Sequence, residues 1–390
     1  MPLVREIEGF TSEMTSWRRD IHAHPELGFQ ENRTSHLVAE KLKSFGIEVH
    51  TGIGKTGVVG VLRNGKAKKQ IGLRADMDAL PILEANTFQH KSTKHGVMHA
   101  CGHDGHTAML LGAAKYLAAT KSFDGTVHFI FQPAEEGIGG AKAMIDDGLF
   151  RRFPCEAVFG MHNRPGLPLG RFAVRSGPMM AGGAFFDIDI EGVGSHGARP
   201  ESGVDPVLVA AHVTAALQSI VSRNVRPVDT AVVSVTQIHG GDAYNVIPQR
   251  ARLSGTARCF SNEVMGLIEK NLRRLAQSVA AGFGAKATTD FRVTFPPLLN
   301  HPSEAEFAAS ICNDIVGADH VKRDPALIMA SEDFAFMLAE VPGCYINIGN
   351  GDGTGACEVH NPSYDFNDRA LPYGASFFAR LVEQRLRSGV

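Results

Sequence analysis

The segment His99-Ala100-Cys101-Gly102-His103-Asp104-Gly105-His106 gathers three imidazoles, a thiol and a carboxylate into eight residues just before a helix-forming stretch. Cys and His are the donors that borderline divalent metals prefer, and the two glycines free the backbone to turn Cys101 and His103 to one side. A helix-capping loop with solvated histidines has the same composition, so a metal reading needs further donors. Glu135-Glu136 follows the strand-like run Thr126–Gln132, and His162 follows the run Ala157–Met161. Loops at the C-terminal ends of strands in an open α/β sheet converge on one crevice, so these groups can meet Cys101 and His103 there. Adjacent glutamates repel unless cations offset the repulsion, in which case one ligates and the other stays available as a base. His360, in CEVHNPSYDF after the strand-like CYINIGN and a glycine-rich loop, is a further donor that nothing in its own surroundings separates from a lone loop histidine.

The elements that must position these groups alternate. Helical patterns near Glu6 to Arg19 and Thr34 to Phe45 lead into apolar runs at Gly57 to Leu62 and Ile71 to Ala75. A helix after Asp104, a strand at Thr126 to Gln132, a helix at Ala141 to Asp147 and a strand at Ala157 to Met161 follow. The strands read as unbroken apolar runs, as a sheet covered on both faces requires. From Ala184 the order becomes strand, helix (Pro206 to Ser222), strand (AVVSVTQIHG), strand (ARLSGTARCF), helix (Glu263 to Ala281) and strand (ATTDFRVTF), the β-α-β-β-α-β order of a ferredoxin-like unit. Apolar-polar alternation such as Phe186-Ile188-Ile190 against Asp187-Asp189 supports it. After Pro297 the α/β pattern returns, with a helix near Ala305 to Ile315, a strand at Cys344 to Ile348 and a last helix from Arg369 to Leu386. The expected fold is therefore α/β: a discontinuous domain, residues 1–183 and 298–390, with a mixed sheet covered by helices, and an inserted ferredoxin-like α+β domain over residues 184–297. Ser331 is expected to cap a helix opening at Ser331-Glu332-Asp333-Phe334.

A chain of 390 residues exceeds one hydrophobic core, and 44% hydrophobic with 21% charged residues is ordinary globular usage. A formal charge of −2 offers no field for a phosphate backbone or an anionic membrane, so neither nucleic acid nor membrane is an expected partner. The opening MPLVREIEGFTSEMTSWRRD is charged where a secretory signal is apolar, and no run of about 18 apolar residues occurs, so the expected location is cytoplasmic. Six scattered cysteines read as reduced thiols rather than a disulfide scaffold. Gly52-Ile53-Gly54-Lys55-Thr56-Gly57 and Gly192-Val193-Gly194-Ser195-His196-Gly197 both match G-x-G-x-x-G, but the first runs into strand-like VVGVL instead of opening a helix, so dinucleotide and phosphate binding are set aside.

HPELGFQE, RADMDALP, MHACGHDGHTAMLLGAA, FQPAEEGIGGAKAMIDDGLF, GMHN, GSHGARP, NVIP, MASEDFAFML and VHNPSYDFND, in this order along nearly the whole chain, resemble the metal-dependent amidohydrolases of the aminoacylase/carboxypeptidase superfamily. The likeness is to the branch holding hippurate hydrolase, N-acyl-amino-acid amidohydrolase and the plant auxin-conjugate hydrolases.

The resemblance implies a two-metal site with Cys101, His103, Glu136, His162 and His360 as ligands, Cys101 bridging, and Glu135 as the general base. A wider relative has His-x-Asp where this chain has Arg74-Ala75-Asp76, so His103 is expected to replace that histidine and Asp76 to orient a ligand. His196 resembles the histidine that stabilises the oxyanion, from its own chain or a partner subunit, and Asn245 and Arg258 resemble residues that hold the substrate's free carboxylate. Manganese, zinc, cobalt and nickel all suit the donors, and a homodimer through the inserted domain, or a higher homo-oligomer, is implied. The substrate implied is a small N-acyl-L-amino acid. Dipeptidase or carboxypeptidase action and deacylation of an N-acyl-diamino acid are alternatives on the same fold, and a metal-binding member without catalysis is the alternative of another class. A thiol redox role for Cys101 lacks the C-x-x-C partner.

Overall fold

A computed structural model describes residues 3–352 and 357–387, so residues 353–356 of the glycine-rich loop before His360 lie outside the described residues. The chain divides into two compact units: residues 3–177, 299–326 and 333–387 form one, and residues 178–298 with 327–332 form the other.

The first unit is built on an eight-stranded mixed sheet, in the order Glu48–Ile53, Gly57–Asn64, Gly125–Gln132, Gln70–Asp76, Ala157–Pro165, Gly343–Gly351, Phe172–Val174, Val321–Arg323. Its three central pairings are parallel: Gln70–Asp76 with Gly125–Gln132, Gln70–Asp76 with Ala157–Pro165, and Ala157–Pro165 with Gly343–Gly351. The C-terminal ends of these four strands therefore lie at one edge of the sheet. Valines, isoleucines and phenylalanines fill both faces of these strands, and Phe129, Phe131 and Phe159 are fully buried. Helix His103–Thr120 is buried along most of its length and packs against helices Thr11–Ala23 and Leu371–Arg385. The long N-terminal helical pattern is broken at Phe10, giving Arg5–Gly9 and Thr11–Ala23. The G-x-G-x-x-G run at Gly52 makes the turn between the antiparallel strands Glu48–Ile53 and Gly57–Asn64.

In the second unit the antiparallel sheet has the order Ala231–Gly240, Arg250–Cys259, Gly182–Glu191, Lys286–Phe295, the strand order of a ferredoxin-like βαββαβ unit. Phe186, Ile188 and Ile190 are buried beneath helices Pro206–Ser219 and Asn262–Gly282. Both helices begin where the sequence can satisfy free amides: the Asp205 carboxylate accepts from Val207 and Leu208 before Pro206, and the Ser261 hydroxyl accepts from Val264. Met265, Ile268, Leu272, Ala276 and Ala280, at three- and four-residue spacing, give the second helix its apolar stripe. Residues 327–332 join this unit through a bridge between Met180 and Ile328.

None of the six cysteines is joined in a disulfide. Among the described residues no helix is long and apolar enough to cross a membrane.

Candidate metal centre

Each of the four parallel central strands delivers polar residues at its C-terminal end. Gln70–Asp76 ends in Asp76, with Asp78 two residues on; Gly125–Gln132 leads to Glu135 and Glu136; Ala157–Pro165 carries His162 and Asn163; and the chain beyond Gly343–Gly351 reaches His360. Between Gln70–Asp76 and Gly125–Gln132, helix His103–Thr120 opens at the same edge, with Cys101 and Gly102 immediately before it. Gly102 has φ +94, and a Cβ there would lie 2.2 Å from the side-chain oxygen of Asn163, so only glycine fits this corner.

The donor atoms converge. Cys101, His103 and His162 form one group whose ligand atoms lie within 4.8 Å of one another; Cys101, Glu136 and His360 form another, and His103, Glu135 and Glu136 a third. Cys101 Sγ is 3.2 Å from His162 Nε2, and His360 Nε2 is 3.3 Å from Glu136 Oε1. The His360 amide donates to the Ala100 carbonyl at 2.7 Å, which ties the two distant loops together.

The hydrogen bonds around the ligands fix the imidazoles. His103 Nδ1 faces the Asp78 carbonyl oxygen at 2.9 Å and its carboxylate at 3.1 Å, so Nδ1 carries a hydrogen and Nε2 points inward. His162 Nδ1 donates to the Asn163 carbonyl at 2.6 Å, again leaving Nε2 inward. The other Asp78 oxygen accepts from the Glu136 amide at 2.9 Å, so one carboxylate braces a residue on each side of the cluster. Asp76 lies 2.6 Å from His106 Nδ1 and 2.7 Å from Arg74, and only 3.7 Å from His103 Nε2. The direct partner of His103 is thus Asp78, and Asp76 serves His106.

The donor set fits divalent cations. His103 Nε2 is buried without a hydrogen-bond partner among the described residues, the condition of a group shaped for a partner other than protein. The charge balance agrees. Burial pushes the Cys101 thiol up, and the Glu136, Glu135 and Asp76 carboxylates push it further. Burial opposes protonation of His103, yet Asp76, Asp78 and Glu136 together raise it to about 10. Burial and the neighbouring His106 hold His162 well down, while the hydrogen bond to Glu136 raises His360. Clustered carboxylates that keep a thiol and an imidazole protonated are an excess of negative charge, which cations neutralise.

A further layer of buried charge holds the frame. Burial alone would raise the Asp76 carboxyl, but His103, Arg74 and His106 carry it well below the usual carboxylate range. Arg74 also reaches Gln132 at 2.8 Å and Asp333 at 3.2 Å. Asp333, not Ser331, is the N-cap of helix Phe334–Glu340: the helix starts two residues later than the Ser331 pattern predicts, because the Asp333 carboxylate is drawn to Arg74, Gln132 and the Ala141 amide.

His196, Asn245 and Arg258 belong to the second unit. His196 is exposed on strand Ser195–His196, which pairs with Val246–Ile247, and the adjoining Gly197 amide donates to the Asn245 carbonyl at 2.7 Å. Arg258 is half-buried, with its guanidinium 5.7 Å over the Phe185 ring and donating to the Ala257 carbonyl at 2.9 Å. Two residues that hold the site together in the structure, Asp78 and Asn163, carry no assignment from the sequence, where the one local signal is the repeated acid in Asp76-Met77-Asp78; His106 stands there only as one of three clustered imidazoles.

The model of peptidase family M20/M25/M40 matches residues 72–384. The chain belongs to that family. It is a metal-dependent amidohydrolase. It is 43% identical to hippurate hydrolase of Campylobacter jejuni over 99% of this chain and 100% of that protein. It is 40% identical to the IAA-amino acid hydrolase ILR1-like 4 of Arabidopsis thaliana over 97% of this chain and 86% of that protein. The crystal structure of a dinuclear metal binding peptidase of the M20 family from Bacillus subtilis superposes with a TM-score of 0.86 at 34% identity, covering 97% of this chain and 99% of that one.

Proposed function

We propose that this amidohydrolase cleaves N-acyl-L-amino acids into a carboxylic acid and an amino acid, with Glu135 as the general base. The observation that carries the reading is the gathering of Cys101, His103, Glu136, His162 and His360 at one sheet edge, with Glu135 next in sequence to Glu136 and buried beside them. The relatives named above act on hippurate and on IAA-amino acids, both acyl groups joined to an amino acid through an amide. The five donors are the residues that would hold two divalent cations, with manganese, zinc, cobalt and nickel all candidates. Bound there, such cations supply Lewis-acid polarisation of the amide carbonyl and lower the pKa of water toward about 7. Glu135 takes the proton from the attacking water and delivers it to the departing nitrogen, which leaves as an amine. Asp78 and Asp76 hold His103 and His106 in place. His196 donates a hydrogen bond to the developing oxyanion, and Asn245 with Arg258 receives the substrate's free carboxylate; these three roles rest on the likeness of their motifs. In this reading residues 184–297 serve as the lid and the dimerisation surface of a cytoplasmic homodimer.

The test is a Glu135→Gln enzyme reconstituted with manganese or zinc and assayed on benzoyl-, acetyl- and indoleacetyl-amino acids beside free dipeptides. The expected result is unchanged metal content, a fall in kcat of about 10²–10⁴-fold, and preference for the acyl-amino acids. Near-normal turnover would remove Glu135 from the reaction, and preference for dipeptides would replace the substrate class.

A further inference from the structure

The segment HPELGFQE, residues 24–31, supplies none of the candidate metal donors and no proposed catalytic group, yet it touches the frame of the site at several points. The Glu26 carboxylate accepts from the Arg33 amide at 3.0 Å and the Thr34 amide at 2.9 Å, which satisfies the start of helix Asn32–Ser44. The Glu26 carbonyl accepts from the Ala79 amide at 2.8 Å, beside a bridge from Leu27 to Ala79, and so fixes the chain next to Asp78. Gly28 lies against the loop that follows strand Gly125–Gln132: a Cβ there would come 3.0 Å from Ala134 Cα and 2.3 Å from Ile138 Cδ1.

Glu31 completes the set. It sits at the N-cap position of helix Asn32–Ser44, but its side chain caps nothing, because Glu26 has taken those amides. The carboxylate is fully buried and turns the other way: one oxygen accepts from the Ala134 amide at 2.8 Å, the other from the Thr56 hydroxyl at 2.6 Å. Ala134 is held at φ +53, a left-handed conformation unfavourable for a residue with a Cβ, and it immediately precedes Glu135. A buried carboxylate is costly unless its hydrogen bonds have a use, and here they pin an otherwise disfavoured backbone turn.

We propose that Glu31 is a positioning residue for the general base: anchored by Thr56, it clamps the Ala134 amide and so sets the angle at which Glu135 leaves the strand end. This inference rests on the assignment of Glu135 as the base.

The test uses the full-length, metal-loaded enzyme and reads kcat, KM, cations per chain and melting temperature for Glu31→Ala, Glu31→Gln and Thr56→Val, with Glu31→Ala also placed in a Glu135→Gln background. Displacement of a catalytic group by a fraction of an ångström costs about 10- to 100-fold in rate, so Glu31→Ala is expected to lose that much kcat, with KM within about threefold of wild type and cation content unchanged. Glu31→Gln, whose amide oxygen still accepts from Ala134, is expected to regain most of the rate. In the Glu135→Gln background Glu31→Ala is expected to change the residual rate less than about twofold, since a residue acting through Glu135 has nothing left to position. Wild-type kcat in Glu31→Ala, an equal fractional loss in both backgrounds, or loss of cations would each overturn the clamp. If Glu31→Ala does not fold, Thr56→Val must show the same kcat-selective loss, and a change confined to KM overturns the inference. The two assignments fail separately: a Glu135→Gln enzyme of near-normal rate removes the base, whereas an impaired Glu135→Gln beside an unimpaired Glu31→Ala removes only the clamp.

Discussion

Asp78 offers the sharpest mutational probe of the frame, because a single carboxylate braces His103 through one oxygen and the Glu136 amide through the other, at 3.1 and 2.9 Å. Asp78→Ala removes both bonds but keeps the Asp78 backbone carbonyl 2.9 Å from His103 Nδ1, so the tautomer of His103 survives and only its restraint weakens. Charge-assisted hydrogen bonds contribute about 1.5–3 kcal/mol each, and removal of a group that orients a metal ligand costs about 10–100-fold in affinity, equivalent to about 1.4–2.8 kcal/mol. An opposing effect has to be weighed. Asp78 is one of the charges that raise His103 to about 10, so its loss eases the competition of protons with metal at neutral pH. The deficit of Asp78→Ala is therefore expected to be smaller near pH 7 and to widen as pH rises toward about 10, where wild-type His103 sheds its proton unaided. Competition with a chromophoric chelator at several pH values measures this directly, and Asp78→Asn, which keeps one acceptor, should fall between the two. Metal affinity within about twofold of wild type across that range would refute the bracing role.

Two other predictions follow from the same geometry. Because burial and the neighbouring carboxylates keep the Cys101 thiol protonated, and the carboxylates against burial keep His103 protonated, in the metal-free protein, cation uptake near neutral pH should release about two protons per chain and strengthen with rising pH; calorimetry in buffers of differing ionisation enthalpy reads this, and release near zero would contradict it. Gly102→Ala should destabilise the metal-free protein by about 2–4 kcal/mol in urea denaturation, since it combines φ +94 with a Cβ 2.2 Å from the Asn163 oxygen and 2.7 Å from the Tyr364 hydroxyl; a change under about 0.5 kcal/mol would show that the corner relaxes.

The candidate metal centre was legible because its donors are chemically distinctive and follow apolar runs that announce strands. Cys101, His103, Glu135, Glu136 and His162 all stand beside elements whose periodicity can be read locally. The βαββαβ order of the inserted unit was readable for the same reason: its strands alternate, and its helices carry Asp205-Pro206 and Ser261 at their starts. The edge strand Glu48–Ile53 carries no apolar run, since only Ile53 in it is buried, and so it leaves no strand signal in the sequence. The three-residue strands Phe172–Val174 and Val321–Arg323 are too short to show a period, and their pairing joins distant parts of the chain. The supporting layer escaped for a deeper reason. Glu31 meets Ala134, Asp78 meets His103 and Asn163 meets His106 across long stretches of sequence, and nothing near each residue reveals its partner. Ser331 misled because its neighbour Asp333 is diverted into the buried Arg74 network, which moves the helix start.

The account rests on one cluster of side chains holding two cations beside a base. Elemental analysis of the protein after reconstitution with manganese or zinc and exhaustive dialysis tests this most directly. About two cations per chain are expected in the wild type, with fewer retained by a variant lacking both the Cys101 thiol and the Glu136 carboxylate. A wild-type chain that retains almost none, or a doubly substituted chain that retains both, would contradict it.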